Sequence, residues 1–179
     1  QKKVTQINLA LFGFSRGAAT ARACANWLAQ ICESEDGCVR VGGIPLRTYF
    51  MGIFDTVASV GLADALPGFD GHMAWGDANM QNNPMVEQAV HFVALHEQRA
   101  AFPLENAHMG RQVAYPGMHS DVGGGYDPAE QGKGMPGSGK LSQVPLIDMH
   151  HAAICGGVPL MTMEQIGAIG RLRGHFAVP

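Results

Sequence analysis

Gly13-Phe14-Ser15-Arg16-Gly17 stands between an apolar run, Ile7-Asn8-Leu9-Ala10-Leu11-Phe12, and an alanine-rich run, Ala18-Ala19-Thr20-Ala21-Arg22-Ala23. That order predicts a buried strand over 5–12, a sharp turn centred on a serine, and a helix over 16–32. Gly13 and Gly17 are expected to let the backbone turn tightly and to let helix and strand approach closely. A serine in such a turn presents its hydroxyl at the mouth of a sheet, so the segment restricts the chain to folds in which a strand feeds directly into a helix.

The rest of the sequence extends that pattern. Arg47-Thr48-Tyr49-Phe50-Met51-Gly52-Ile53-Phe54 reads as a second strand ending at Asp55, and 111–115 as a short strand leading to Pro116-Gly117-Met118-His119. Val86, Ala89, Val90, Val93 and Ala94 fall at helical spacing within 85–98. Residues 61–84 and 123–140 read as loops, the first carrying Leu62, Leu66, Phe69, Met73 and Trp75 as a candidate lipid-facing set. Ser142 is expected to cap a helix with Leu146, Met149, His150, Ala153 and Ile154 on one face, stopped by Gly156-Gly157 and Pro159. Alternating strands and helices predict an α/β domain with a mostly parallel sheet, in which functional residues gather at the carboxyl ends of strands.

Ser15, Asp55 and His119 all fall at such ends. A serine hydroxyl needs a base to take its proton, and a histidine base needs an acid to fix its tautomer and stabilise the imidazolium. The chain order Ser15…Asp55…His119 is the one α/β-hydrolases use. Taken singly, each residue has an ordinary reading: a short glycine-flanked motif, a turn-forming Asp, one histidine of eight. Their joint placement carries the argument.

Other chemistries are disfavoured. The net charge of −3 and scattered Lys and Arg offer no nucleic-acid surface. Cys24, Cys32, Cys38 and Cys155 match no zinc or redox spacing, and Cys24 and Cys32 read as small apolar groups on or near the first helix. Gly134 to Lys140 has phosphate-loop spacing, but Leu141 stands where Ser or Thr should hold magnesium. His150 and His151 point about 100° apart on a helix, and His91 and His96 are poorly spaced for one metal. No catalytic metal or other cofactor is expected; Asp70, Asp77 and Asp127 are the loop carboxylates open to calcium. No run of 18 apolar residues occurs, and no transmembrane helix is expected.

Gly13 to Ala19, Gly52-Ile53-Phe54-Asp55-Thr56-Val57 and Pro116 to Tyr126 together resemble an α/β-hydrolase domain family that includes phospholipase effectors of the bacterial type VI secretion system. His91 to Pro103 resembles that family's helix ahead of the histidine-bearing strand. The resemblance implies a serine esterase acting on phospholipid acyl esters, with Ser15 as nucleophile, His119 as base and Asp55 as acid. It implies an oxyanion site from the Arg16 N–H and a second N–H. Asp121 competes with Asp55 but lies too near His119 in sequence to reach the far side of its ring. Ser120 and Gly123–Gly125 are expected to shape the loop around His119. Implied partners are a phospholipid membrane surface, a secretion-spike protein and an immunity protein, with synthesis in the bacterial cytoplasm and delivery to a target cell's periplasm. Only 14 residues precede Ser15, so 1–179 is expected to form part of one catalytic domain of a longer chain, without the fold's first strands or the second oxyanion donor. A carboxylesterase for non-lipid esters and a non-catalytic α/β binding module are the alternatives.

Overall fold

The apolar run ahead of Ser15 forms strand β1 (Ile7–Phe14), and the alanine-rich run behind it forms helix α1 (Arg16–Ile31). The structure, a computed structural model, describes residues 3–35, 38–58, 81–100, 102–107, 109–127, 130 and 139–170. Among these, the chain continues through β2 (Glu33–Glu35), β3 (Cys38–Val41), β4 (Ile44–Phe54), β5 (Ala89–Ala94), β6 (Arg111–Tyr115), α2 (His119–Gly123), α3 (Gln143–Cys155) and α4 (Met163–Ala168). The protein is an α/β fold with a mostly parallel sheet flanked by helices. β4 is its centre, pairing in parallel with β1 and β5 along opposite edges, and β5 pairs in parallel with β6. The small β2–β3 pair joins antiparallel to the first residues of β4.

Side-chain alternation along β4 divides the core. Met51 and Ile53 face α1, where Ala18, Ala21 and Ala25 recur at helical spacing and bring that helix close to the sheet. Phe50 faces the opposite layer, packing with Val90, Phe92, Val122, Met149 and Ala153 and so joining β5, α2 and α3. A bulge against Leu9 and Ala10 inserts Tyr49 between Thr48 and Phe50. Alanine thus serves α1 twice, as a strong helix former and as a side chain too small to hold the helix off the sheet.

Residues 85–98 are not helical. Residues 89–94 are strand β5, with Ala89, Val90, His91, Phe92 and Val93 all buried. A central parallel strand is covered on both faces, so its sequence loses alternation and can mimic helical spacing. The same finding corrects the helix expected within His91–Pro103. The second strand begins at Ile44, three residues before the expected start. Helix α3 forms where expected and ends at Gly156, but Ser142 makes no side-chain cap and Leu146 is exposed. The loop read over 61–84 lies outside the described residues up to position 80, together with its apolar set and with Asp70 and Asp77.

The β1–α1 junction needs only one of its two glycines on steric grounds. A Cβ on Gly13 would stand 2.3 Å from the Gly17 carbonyl oxygen, whereas one on Gly17 would meet nothing within 4 Å. The close approach of strand and helix therefore requires glycine at 13, against the Gly17 carbonyl, and does not require it at 17. Gly13→Ala should lower stability by about 1–3 kcal/mol through forced backbone displacement. Gly17→Ala should leave it unchanged or raise it slightly, since Ala is the better helix former. Urea unfolding midpoints of the two variants check this contrast.

Beneath the sheet's carboxyl end lies a buried polar cluster. Arg22 of α1 and His91 of β5 are 0% and 1% exposed. Arg22 donates to the carbonyls of Glu105 (2.9 Å) and Asn106 (3.3 Å). The Thr56 N–H donates to His91 Nε2 at 3.3 Å, and Nδ1 lies 3.3 Å from Arg22 Nη2 and 3.2 Å from Gln112 Oε1. Burial, and then the Arg22 guanidinium, push the His91 pKa down to about 3, so the ring stays neutral. Burial also lowers Arg22 to about 10, leaving it charged at neutral pH. His91 thereby pins the backbone immediately after Asp55. Below its ordinary 6.5 the unfolded chain protonates residue 91 and the folded chain does not, so stability present above that pH is lost as pH falls toward 3. The urea midpoint should drop over that window, by at most about 1.4 kcal/mol per pH unit from this group. His91→Gln should flatten the dependence.

Candidate active site

Ser15 and Asp55 cap adjacent strands. Phe14 and Phe54 are register partners, so the two residues emerge together at the carboxyl ends of β1 and β4. Both take backbone conformations that side chains normally avoid, with φ of 58° at Ser15 and 36° at Asp55. Main-chain bonds hold the serine there. Its N–H donates to the Phe54 carbonyl at 3.0 Å, and its own carbonyl accepts from Ala18 at 3.0 Å and Ala19 at 3.2 Å. Asp55 is fixed in the same way, its N–H on the Phe92 carbonyl at 2.7 Å. Its Oδ1 accepts the Ala94 N–H at 2.8 Å.

The other oxygen, Asp55 Oδ2, lies 2.7 Å from Nδ1 of His119. Both side chains are buried, at 4% and 5% exposure. A carboxylate can only accept here, so Nδ1 carries the proton and Nε2 is left as a lone-pair acceptor. The imidazole packs against Phe14 (ring centroids 4.5 Å) and Phe102 (4.9 Å). Its backbone N–H donates to Glu97 Oε2 at 3.1 Å. Further bonds tie the loop after β5 to the loop after β6: His96 N–H to the Gly117 carbonyl, and Gly117 N–H to His96 Nδ1, both at 3.0 Å. Hydrogen bonding to Arg99, together with backbone N–H groups that include that of His119, holds the Glu97 carboxyl down at about 2.

The residues singled out from sequence fall as follows. Ser15, Asp55 and His119 converge on one end of the sheet; among the described residues the Ser15 hydroxyl makes no hydrogen bond, to His119 or elsewhere. Arg16 and Gly17 open α1 as exposed residues. Asp121 turns away from the imidazole, its Oδ2 accepting the Met118 N–H at 2.9 Å at the start of α2. Ser120 accepts the Gly124 N–H on its carbonyl at 2.9 Å. Gly123 is needed because a Cβ there would stand 1.9 Å from the Phe14 ring. A cavity of about 400 Å³ beside α2 is lined by Ser120, Asp121, Tyr126 and Lys140, and Ser15, Asp55 and His119 are not part of its lining. Among the described residues, no group of three or more His, Cys, Asp or Glu is arranged to hold a metal ion, and no helix is long and apolar enough to cross a membrane. Thr56, Glu97 and Phe102 escaped sequence reasoning. All three lie in segments that resemble the family, where no local signal marks their roles.

A model of the catalytic domain of Tle1-like phospholipase effectors of the type VI secretion system (T6SS) matches residues 33–152. That span holds Asp55 and His119, and Ser15 precedes it. A crystal structure of an uncharacterized protein from Pseudomonas aeruginosa is 37% identical with a TM-score of 0.85, over 100% of this chain and 28% of that one. The structure of the Tle1 effector bound to the VgrG spike from the type VI secretion system is 31% identical with a TM-score of 0.52, over 70% of this chain and 26% of that one. No curated protein matches the sequence significantly. The chain spans little more than a quarter of the solved proteins it resembles. The family match and the likeness to the Tle1 effector together establish that the chain belongs to the Tle1-like phospholipase effector family of the type VI secretion system.

Proposed function

We propose that this chain carries the active site of a serine esterase that hydrolyses acyl ester bonds of phospholipids, with Ser15 as nucleophile, His119 as general base and Asp55 as the acid that orients it. The observation that supports this most is the buried 2.7 Å contact of His119 Nδ1 with Asp55, made at the end of the strand beside a serine with φ of 58°. In the proposed reaction His119 Nε2 takes the Ser15 proton as Oγ attacks the ester carbonyl. Bonds of this kind commonly tighten only once substrate is in place. The proton passes to the departing lysophospholipid oxygen, and water then releases the fatty acid by the same steps in reverse roles. The negative charge on the tetrahedral oxygen would be met by the Arg16 N–H at the start of α1, joined by a second N–H. The family's type VI setting extends the proposal to a secretion-spike partner, a cognate immunity protein, and delivery from the producing cytoplasm to a target cell's periplasm.

Asp55 is buried, so replacing it disturbs the tautomer of His119 rather than the solvent. Asp55→Asn should reduce kcat about 10⁴-fold, and Ser15→Ala about 10⁶-fold. Fatty-acid release from phospholipid vesicles by the full-length protein is the measurement. Equal release by parent and a folded Ser15→Ala variant would refute the serine mechanism. Turnover of short soluble esters without any release from vesicles would refute the lipid substrate and leave the esterase.

A further inference from the structure

Glu97 has no part in the chemistry proposed above, yet it is the most heavily bonded carboxylate near it. Its side chain is 9% exposed, low for a glutamate on a loop. Oε2 accepts from the His119 N–H at 3.1 Å and from Arg99 Nη2 at 2.7 Å. Oε1 accepts the backbone N–H groups of Gln98 at 3.1 Å and Arg99 at 2.8 Å, together with Arg99 Nε at 2.8 Å. A carboxylate that accepts so many donors is rigid and remains ionised.

The contacts run on from Arg99. Its guanidinium lies over the Phe102 ring at 4.0 Å, and that ring packs against the His119 imidazole at 4.9 Å. One side chain therefore governs His119 twice: directly at the backbone, and through Arg99 and Phe102 at the ring. Asp55 alone cannot do this, because a single bond at Nδ1 leaves the imidazole free to pivot about it. Phe14 closes the site from the β1 side.

We infer that Glu97 is a positioning residue, which anchors His119 from the loop after β5 and, through Arg99 and Phe102, sets the angle of its imidazole toward Ser15. This inference rests on the serine reading. A displacement on the order of 1 Å at a reacting group is worth about 10²-fold in rate, so the effect falls on kcat rather than on substrate binding.

The test compares the full-length parent protein with Ser15→Ala, Glu97→Ala, Glu97→Gln and Glu87→Ala, the last removing an exposed ion pair with Arg47 as a control. Reactive serines are titrated to completion with a fluorophosphonate, and kcat and KM for p-nitrophenyl butyrate are expressed per titrated site. Glu97→Ala should lose about 10²-fold in kcat per site with KM unchanged. Glu97→Gln should recover much of that loss, because its amide oxygen still accepts the His119 N–H; Glu87→Ala should match the parent. If Glu97 is only structural, Glu97→Ala lowers the melting temperature or the titrated fraction while kcat per site holds, and that overturns the inference. Equal losses in the Gln and Ala variants also overturn it. Should Glu97→Ala yield no titratable sites, Arg99→Ala, which keeps the backbone bond and frees the Phe102 ring, should lose about 10-fold in kcat per site; parent-level kcat there overturns the inference. Parent-level turnover by Ser15→Ala defeats the serine reading itself, a separate result.

Discussion

The main-chain bonds around Ser15 are the constraint on which the rest of the structure depends. A non-glycine residue at φ 58° stores about 1–3 kcal/mol of backbone strain and persists only where its surroundings over-determine it. Here they do. The serine's N–H is committed to β4, its carbonyl to the first turn of α1, and that carbonyl also meets the Val57 N–H at 3.4 Å. Strand, helix and the loop after β4 therefore meet at one residue. The small side chains nearby follow from this: Gly13 admits the Gly17 carbonyl, and of two fully buried alanines Ala18 packs on the sheet with Met51 and Ile53 while Ala19 packs with Ala23 and Ala58.

From that point the candidate site is assembled by successive strand ends. β4 delivers Asp55, the end of β5 supplies the Ala94 N–H that fixes one of its oxygens, and the loop beyond β6 brings His119 to the other. Burying a carboxylate beside an imidazole is costly unless every lone pair finds a donor. The backbone of β5 supplies the missing donor, so a parallel sheet can carry such a pair without a third side chain. His91 and Arg22 support the arrangement from below by holding Thr56, and Glu97 supports it from above by holding His119. The two supports differ physically: one is a neutral ring under a desolvated cation, the other an ionised carboxylate saturated with donors.

Much of this was legible in the residues. Strand β1, helix α1, the end of β4 and strand β6 each carried a local signal, either an apolar run, an alanine stripe or an aromatic-rich segment closed by a turn residue. Strand β5 did not. Val86, Ala89, Val90, Val93 and Ala94 satisfy a helical template because a strand buried on both faces needs no alternation. Glu97 and Phe102 lie on the loop after β5, where no periodicity marks a side chain's partner. His91 carries no local signal of its role, because its use as an acceptor for the Thr56 N–H depends on a neighbour 35 residues away in sequence.

The sequence by itself determined that a serine would stand in a tight strand-to-helix turn, because glycine before it and alanine after it leave few other conformations. It also determined that an aspartate would follow one strand directly and a histidine would follow another after a short turn, because the strand signals stop at Phe54 and Tyr115. The sequence ranked Asp55 above Asp121, and only the tertiary structure brought the Asp55 carboxylate to the imidazole. Asp121 is two residues from His119, and its carboxylate is taken by the Met118 N–H within the same turn. Asp55 approaches from a neighbouring strand, on the Nδ1 side of the ring. Such a choice depends on directions in space between elements far apart in the chain, and local residue preference carries no information about those directions until the sheet has set its register.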